Sequence, residues 1–172
     1  KYAGVTLRED MVELALARIP ADARWRLADL GTGTGAIALA LAHERPLCEL
    51  VASDFSADAL IVAEANAERA QLRHVHFACG SWYEPLRGQC FHLIASNPPY
   101  IAANDPHLIQ GDLCFEPRTA LVAEQNGLAD LMTIIAGAPQ HLEPGGHLLV
   151  EHGWEQGEAV AALFVQAGFV DV

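Results

Sequence analysis

Basic side chains are scarce in this 172-residue chain: ten Lys and Arg stand against 22 Asp and Glu, a formal charge of −12 at pH 7. Affinity for duplex nucleic acid normally rests on clustered Lys and Arg that displace condensed counterions. The few present here are dispersed, so composition argues against a DNA or RNA substrate and for a protein partner or a small molecule. Cysteine is sparse too. Cys48, Cys79, Cys90 and Cys114 show no close pairing, which fits reduced, buried thiols of a cytosolic protein rather than a disulfide frame or a zinc site. No metal is expected. His74-Val75-His76 reads as a strand with one His on each face, not as a ligand pair. Long apolar runs are missing, because Asp29, His43, Glu49 and Asp54 interrupt the richest stretches and none approaches the roughly 20 residues of a membrane span. Lys1-Tyr2-Ala3-Gly4 leads into no apolar core of a secretory signal. A cytoplasmic protein with no membrane contact is expected.

Hydrophobic residues make up 52% of the chain, enough for one substantial core, and residues 1–172 are read as one domain. Met11, Val12, Ala15, Leu16 and Ile19 recur at helical spacing over Glu9 to Ile19, and Pro20 ends the pattern. Short apolar strands are expected at Arg26 to Leu30, Leu47 to Ala52, Val75 to Ala78, Phe91 to Ala95 and Gly146 to Glu151. Helices are expected at Ala36 to Ala42, Ala57 to Ala70 with Ser56 as cap, Gly127 to His141 and Glu155 to Ala167. Such alternation predicts an α/β fold, a doubly wound and mostly parallel sheet covered on both faces. Ile101 to Val122 has turn residues but no periodicity, and its length suggests a functional loop.

Asp29-Leu30-Gly31-Thr32-Gly33-Thr34-Gly35 lies where the first strand passes into the first helix of the alternating series, the place where doubly wound folds bind nucleotides. Three glycines suit a turn that lets a ligand touch the backbone, and the helix N-terminus that follows offers free amides to a carboxylate or phosphate. About twenty residues on, Asp54 closes the second strand, where a carboxylate takes both hydroxyls of a ribose. Gly31, Gly33 and Ala36 also satisfy the looser dinucleotide fingerprint. Asp29 weighs against it, since an acid there attracts an ammonium group and repels a pyrophosphate. S-adenosylmethionine carries that ammonium. Trp82, after the third strand, is a candidate aromatic face for the adenine.

Ser96-Asn97-Pro98-Pro99-Tyr100 follows the fourth strand. Two prolines fix the backbone direction and remove two N–H donors, leaving carbonyl acceptors without competing amides. An amide or exocyclic amine has N–H bonds to give and a lone pair delocalised into its neighbouring π system, so it needs acceptors to orient it. The Asn97 side-chain oxygen and the Pro98 carbonyl are expected to accept those bonds, aim the nitrogen at the methyl donor and favour the charge that grows on it. Tyr100 packs over the flat substrate group. No strong base is needed beforehand, because the nitrogen becomes acidic only as the C–N bond forms.

With these motifs in this order, the chain resembles the protein-(glutamine-N5) methyltransferases, the HemK/PrmC-type enzymes that modify class-1 peptide chain release factors. Gln110-Gly111-Asp112 with Phe115-Glu116-Pro117-Arg118-Thr119-Ala120-Leu121, and Glu151-His152-Gly153-Trp154 with Gln156-Gly157-Glu158-Ala159-Val160, look like stretches of that subgroup. The resemblance implies a Rossmann-like seven-stranded methyltransferase sheet, truncated at both ends relative to the family's helical domain and closing hairpin. It implies that Gly31, Thr32, Gly33, Thr34, Gly35, Asp54, Trp82 and Asn97 contact S-adenosylmethionine. Asn97, Pro98, Pro99 and Tyr100 would hold the glutamine of the release factor's Gly-Gly-Gln tripeptide. Ser81 departs from the pattern, standing where relatives often have an acid.

Two other activities share parts of this pattern. A nucleobase methyltransferase acting on adenine N6 would present the same donors to Asn97 and Pro98, but needs a flipped base and a basic path for the strand. A nicotinamide-dependent oxidoreductase, or a non-catalytic nucleotide-binding module, would use the glycine loop and leave Asn97 to Tyr100 without chemistry.

Overall fold

The computed structural model describes residues 7–99, 101–102, 122–123 and 128–172; for residues 7–9, 101–102 and 122–123 it describes the backbone alone. The described chain forms two compact units, Lys1–Asn97 with Gln140–Glu151, and Pro98–Pro139 with His152–Val172.

The first unit is built on a five-stranded sheet. Its strands are β1 (Arg26–Leu30), β2 (Glu49–Asp54), β3 (Val75–Cys79), β4 (Phe91–Ser96) and β7 (Leu142–Val150), in spatial order β3-β2-β1-β4-β7 with every neighbouring pair parallel. Leu27, Ala28, Asp29 and Leu30 are all buried, as are Leu93 to Ser96, which is why the central strands read as continuous apolar runs instead of alternating ones. Helix α1 (Leu7–Arg18) turns Met11 and Ala15 inward, with Ile19 just beyond its end; α2 (Ala36–Glu44) adds Ile37, Ala38, Leu41 and Ala42. These side chains share one core with Leu27, Leu50, Ala52, Leu93 and Ala95 of the sheet. Leu41 is fully buried within it, so truncation to Ala there costs about 2–5 kcal/mol. Helix α3 (Ala57–Arg69) packs against β2 and β3 and starts at Ser56, whose hydroxyl accepts the Ala59 N–H at 3.2 Å.

The second unit contains β5 (Ile101–Ala102) and β6 (Val122–Ala123), which pair in parallel, and helices α4 (Ala129–Gly137) and α5 (Gly157–Gln166). The expected functional loop thus has its two ends paired, and the rest of it lies outside the described residues. Leu131, Ile134 and Ile135 form the buried face of α4, while α5 buries Val160. The predicted helices at Gly127 to His141 and Glu155 to Ala167 both come out shorter, with single 3₁₀ turns at Ala138–Gln140 and Trp154–Gln156.

Three local expectations are corrected. The last strand begins at Leu142 instead of Gly146, because Leu142 pairs with Phe91 and the register then jumps to His147 opposite Leu93. Pro144-Gly145, which looks like a strand breaker, is absorbed in that irregularity. His74 precedes β3 rather than lying in it, with its Nε2 3.2 Å from the Ala42 carbonyl, while His76 is exposed. Of the thiols expected to be buried, Cys48 is, Cys90 is half-buried and Cys79 is exposed at the carboxyl end of β3; Cys114 lies outside the described residues.

Candidate active site

Leu30 pairs with Ser53 on one side and Ser96 on the other. The chain following β1 therefore leaves the sheet between the ends of β2 and β4, flanked by Asp54 and Asn97. This is the carboxyl end of a parallel sheet, where α/β folds hold their ligands. Gly31, Gly33 and Gly35 take φ values of 68°, 57° and 85°, the left-handed region that side chains disfavour. A Cβ on Gly31 would stand 3.3 Å from Cζ3 of Trp82, and one on Gly35 would stand 3.2 Å from Cβ of Ala63. Conformation favours glycine at both, and any larger residue would also press Trp82 or Ala63 aside by a few tenths of an ångström.

Polar contacts fix the turn. The Thr32 N–H donates to the Ser53 carbonyl at 2.9 Å, and the Gly35 N–H to the Thr32 carbonyl at 3.0 Å. Asp29 is only 1% exposed, and its Oδ2 accepts the Thr32 hydroxyl at 2.6 Å and the Ala38 N–H at 3.1 Å. Asp29 therefore ties the turn to the start of α2. Asp54 reaches the turn from β2: its Oδ2 accepts the Gly33 N–H at 2.8 Å, and its Oδ1 accepts the Ser56 N–H at 2.8 Å. A carboxylate has further lone pairs to offer a ligand hydroxyl.

Trp82 stands over Gly31 with a backbone φ of 44°. A bulky residue in this region costs on the order of 1–3 kcal/mol and persists only where its surroundings over-determine it. Here the next residues supply the restraint. Tyr83 stacks on His141 with ring centroids 4.6 Å apart and planes 8° from parallel, and Leu86 is completely buried. Burial holds the Tyr83 phenol well above its ordinary range.

Asn97 is half-buried where β4 ends; Pro98 is buried and Pro99 half-buried. Tyr100 lies outside the described residues. Two residues absent from the sequence-based expectation stand at the same end of the sheet. Phe55 is 82% exposed immediately after Asp54, an apolar ring in open solvent beside a candidate ribose acceptor; its signal was an aromatic residue directly after a strand-ending acid. Glu151 follows Val150, the partner of Ser96, and its N–H donates to the Ser96 carbonyl at 3.0 Å, which sets it next to Asn97. Only the strand register reveals that neighbour. Among the described residues, no group of three or more His, Cys, Asp or Glu could hold a metal ion, and no helix is long and apolar enough to cross a membrane.

A family of proteins described as "Methyltransferase small domain" matches this chain over residues 10–124. The chain belongs to the methyltransferase small domain family. Within it, the chain is similar to the release factor glutamine methyltransferase of Salmonella typhimurium, 57% identical over 164 residues, covering 95% of this chain and 59% of the relative. A protein of the same name from Xylella fastidiosa is 56% identical over 164 residues, covering 95% of this chain and 60% of its own. The chain thus spans about three fifths of the length of these curated relatives. Among solved structures, a ribosomal protein L11 methylase from Lactobacillus delbrueckii subsp. bulgaricus superposes with a TM-score of 0.71 at 19% identity, covering 99% of this chain and 73% of the other. At that identity it supports the Rossmann-like methyltransferase fold and nothing finer.

Proposed function

We propose that the protein transfers the methyl group of S-adenosylmethionine to the side-chain amide nitrogen, N5, of the glutamine in the Gly-Gly-Gln motif of class-1 peptide chain release factors, in the cytoplasm. Residues 1–172 act in this reading as its methyltransferase domain. The observation that carries it is the position of Asn97 directly after β4, the strand paired with β1 where the glycine turn begins, with Pro98-Pro99-Tyr100 next in the sequence. High identity to proteins named for this activity supports the substrate.

The residues present fit the methyl donor. At Gly33 the space a Cβ would fill is open, and Asp54 lies against its N–H; this suits a ribose approaching the backbone. The N-cap Gly35 has no side chain and Asp29 takes the Ala38 N–H; the remaining amides at the start of α2 favour the donor's carboxylate. In this reading Asp54 holds the ribose hydroxyls, Trp82 and Phe55 flank the adenine, and the backbone of Gly31, Thr32, Gly33, Thr34 and Gly35 with Asn97 lines the methionine portion. Asp29, buried behind the turn, contributes its negative charge toward the ammonium and rigidity to the loop.

When bound, the donor supplies an electrophilic methyl on a sulfonium. The chain's own task is to present a poor nucleophile. Asn97 accepts one N–H of the glutamine amide through its side-chain oxygen, and Pro98 accepts the other through its carbonyl, where no competing amide donor exists. Both acceptors favour the positive charge that develops on nitrogen, and Tyr100 holds the amide plane. Once the C–N bond exists, the nitrogen loses one proton, which passes by way of these oxygens to solvent water, since amide carbonyls are too weakly basic to keep it.

The test is transfer of label from S-adenosylmethionine to an intact release factor, beside a variant whose tripeptide glutamine is replaced and a DNA control. Label on the intact factor alone supports the reading. Label on DNA, or equally on the glutamine-less factor, overturns the substrate.

A further inference from the structure

Most polar groups of the glycine turn are tied from beneath, by Asp29, Ser53 and Asp54. The Thr34 carbonyl is held from outside instead: the Asn66 side-chain amide, on α3, donates to it at 3.0 Å. Helix α3 comes this close because Gly35 has no side chain, since a Cβ there would stand 3.2 Å from Ala63. Ala63 and Asn66 lie three residues apart on one helix face, the first touching the turn by packing and the second by a hydrogen bond.

We propose that Asn66 is a positioning residue for the cofactor, a strut that fixes the peptide plane between Thr34 and Gly35. That plane ends at Gly35, whose backbone is left-handed with a φ of 85°, where rotation about the flanking N–Cα bond is freest. Its rotation would break the bond from the Gly35 N–H to the Thr32 carbonyl and redirect an amide at the start of α2. Fixing the plane before the ligand arrives removes an ordering cost from binding. Nothing in α3 itself calls for Asn at this position, since Asn is a poorer helix former than Leu or Ala.

This inference rests on the S-adenosylmethionine reading, and one experiment separates the two. Asn66→Leu keeps size and raises helix propensity while removing the donor; Asn66→Asp keeps shape and also cannot donate. Calorimetric binding of S-adenosylhomocysteine, melting temperature and amide exchange of residues 31–37 are measured for both and for the wild type. The expected result is roughly five- to tenfold weaker binding by both variants, the size of one lost hydrogen bond. Exchange should be faster in the turn, and the melting temperature of Asn66→Leu unchanged or raised. Wild-type affinity in Asn66→Leu, or weakening that merely follows a loss of thermal stability, overturns the strut. Failure of the wild type to bind overturns the cofactor reading and the strut with it.

Discussion

Replacing Asp54 by Asn preserves the shape of the side chain and removes its charge and one acceptor. Two contacts define the starting point, from the Gly33 N–H and the Ser56 N–H, each 2.8 Å from a different carboxylate oxygen. An amide presents one oxygen, so either Gly33 or Ser56 then faces an NH₂ group, and a ribose loses a charged acceptor. Hydrogen bonds to a charged group are worth about 1.5–3 kcal/mol, so the loss of one toward the ligand predicts binding of S-adenosylhomocysteine weaker by roughly 10- to 150-fold. The same substitution also loosens the turn and the start of α3. Since Ser56 still caps Ala59, the folding cost should be smaller, on the order of 1 kcal/mol. Isothermal titration beside chemical denaturation separates the two quantities. Affinity within twofold of wild type would refute the ribose assignment and the placement of the adenosine at the end of β2.

Asn97→Ala should leave S-adenosylhomocysteine binding largely intact and lower kcat by on the order of 10²–10³, the usual effect of removing one oriented polar group that acts at the transition state; near-normal turnover would sink the role given to Asn97. Gly31→Ala puts a Cβ 3.3 Å from Trp82 at a φ of 68°, and should cost about 1–3 kcal/mol and weaken cofactor binding, as checked by denaturation and titration. Alkaline stability follows from two acids, the buried Cys48 and the half-buried Tyr83, whose pKa values desolvation raises above 9.0 and 10.0. Above those values the unfolded chain has released protons that the folded chain retains, so stability should fall as pH rises from about 9. Tyr83→Phe should reduce that dependence, and an unaltered alkaline profile in denaturant melts would contradict it.

The central strands were legible because burial on both faces writes them as apolar runs, and Ser56 announced the start of α3 through its chemistry. Gly31 to Gly35, Asp54 and Asn97 were legible because each stands at a strand end, and parallel strands gather their ends on one edge. Other features depend on pairings that local pattern does not encode. The extra residues around Pro144-Gly145 read as a break and prove to be an irregularity in a continuous strand. Glu151 becomes a neighbour of Asn97 only through the pairing of Val150 with Ser96, and Asn66 reaches the turn only because Ala63 packs at Gly35. Cys79 resembled a core thiol, but it closes an edge strand and is exposed.

The central claim is tested most directly by locating the transferred methyl. The protein is incubated with S-adenosylmethionine and a class-1 release factor, and the factor's peptides are sequenced by mass spectrometry. Methylation confined to the side-chain amide nitrogen of the Gly-Gly-Gln glutamine is the predicted result; a methyl on any other residue, or an unmodified factor beside a methylated nucleic acid, would contradict it.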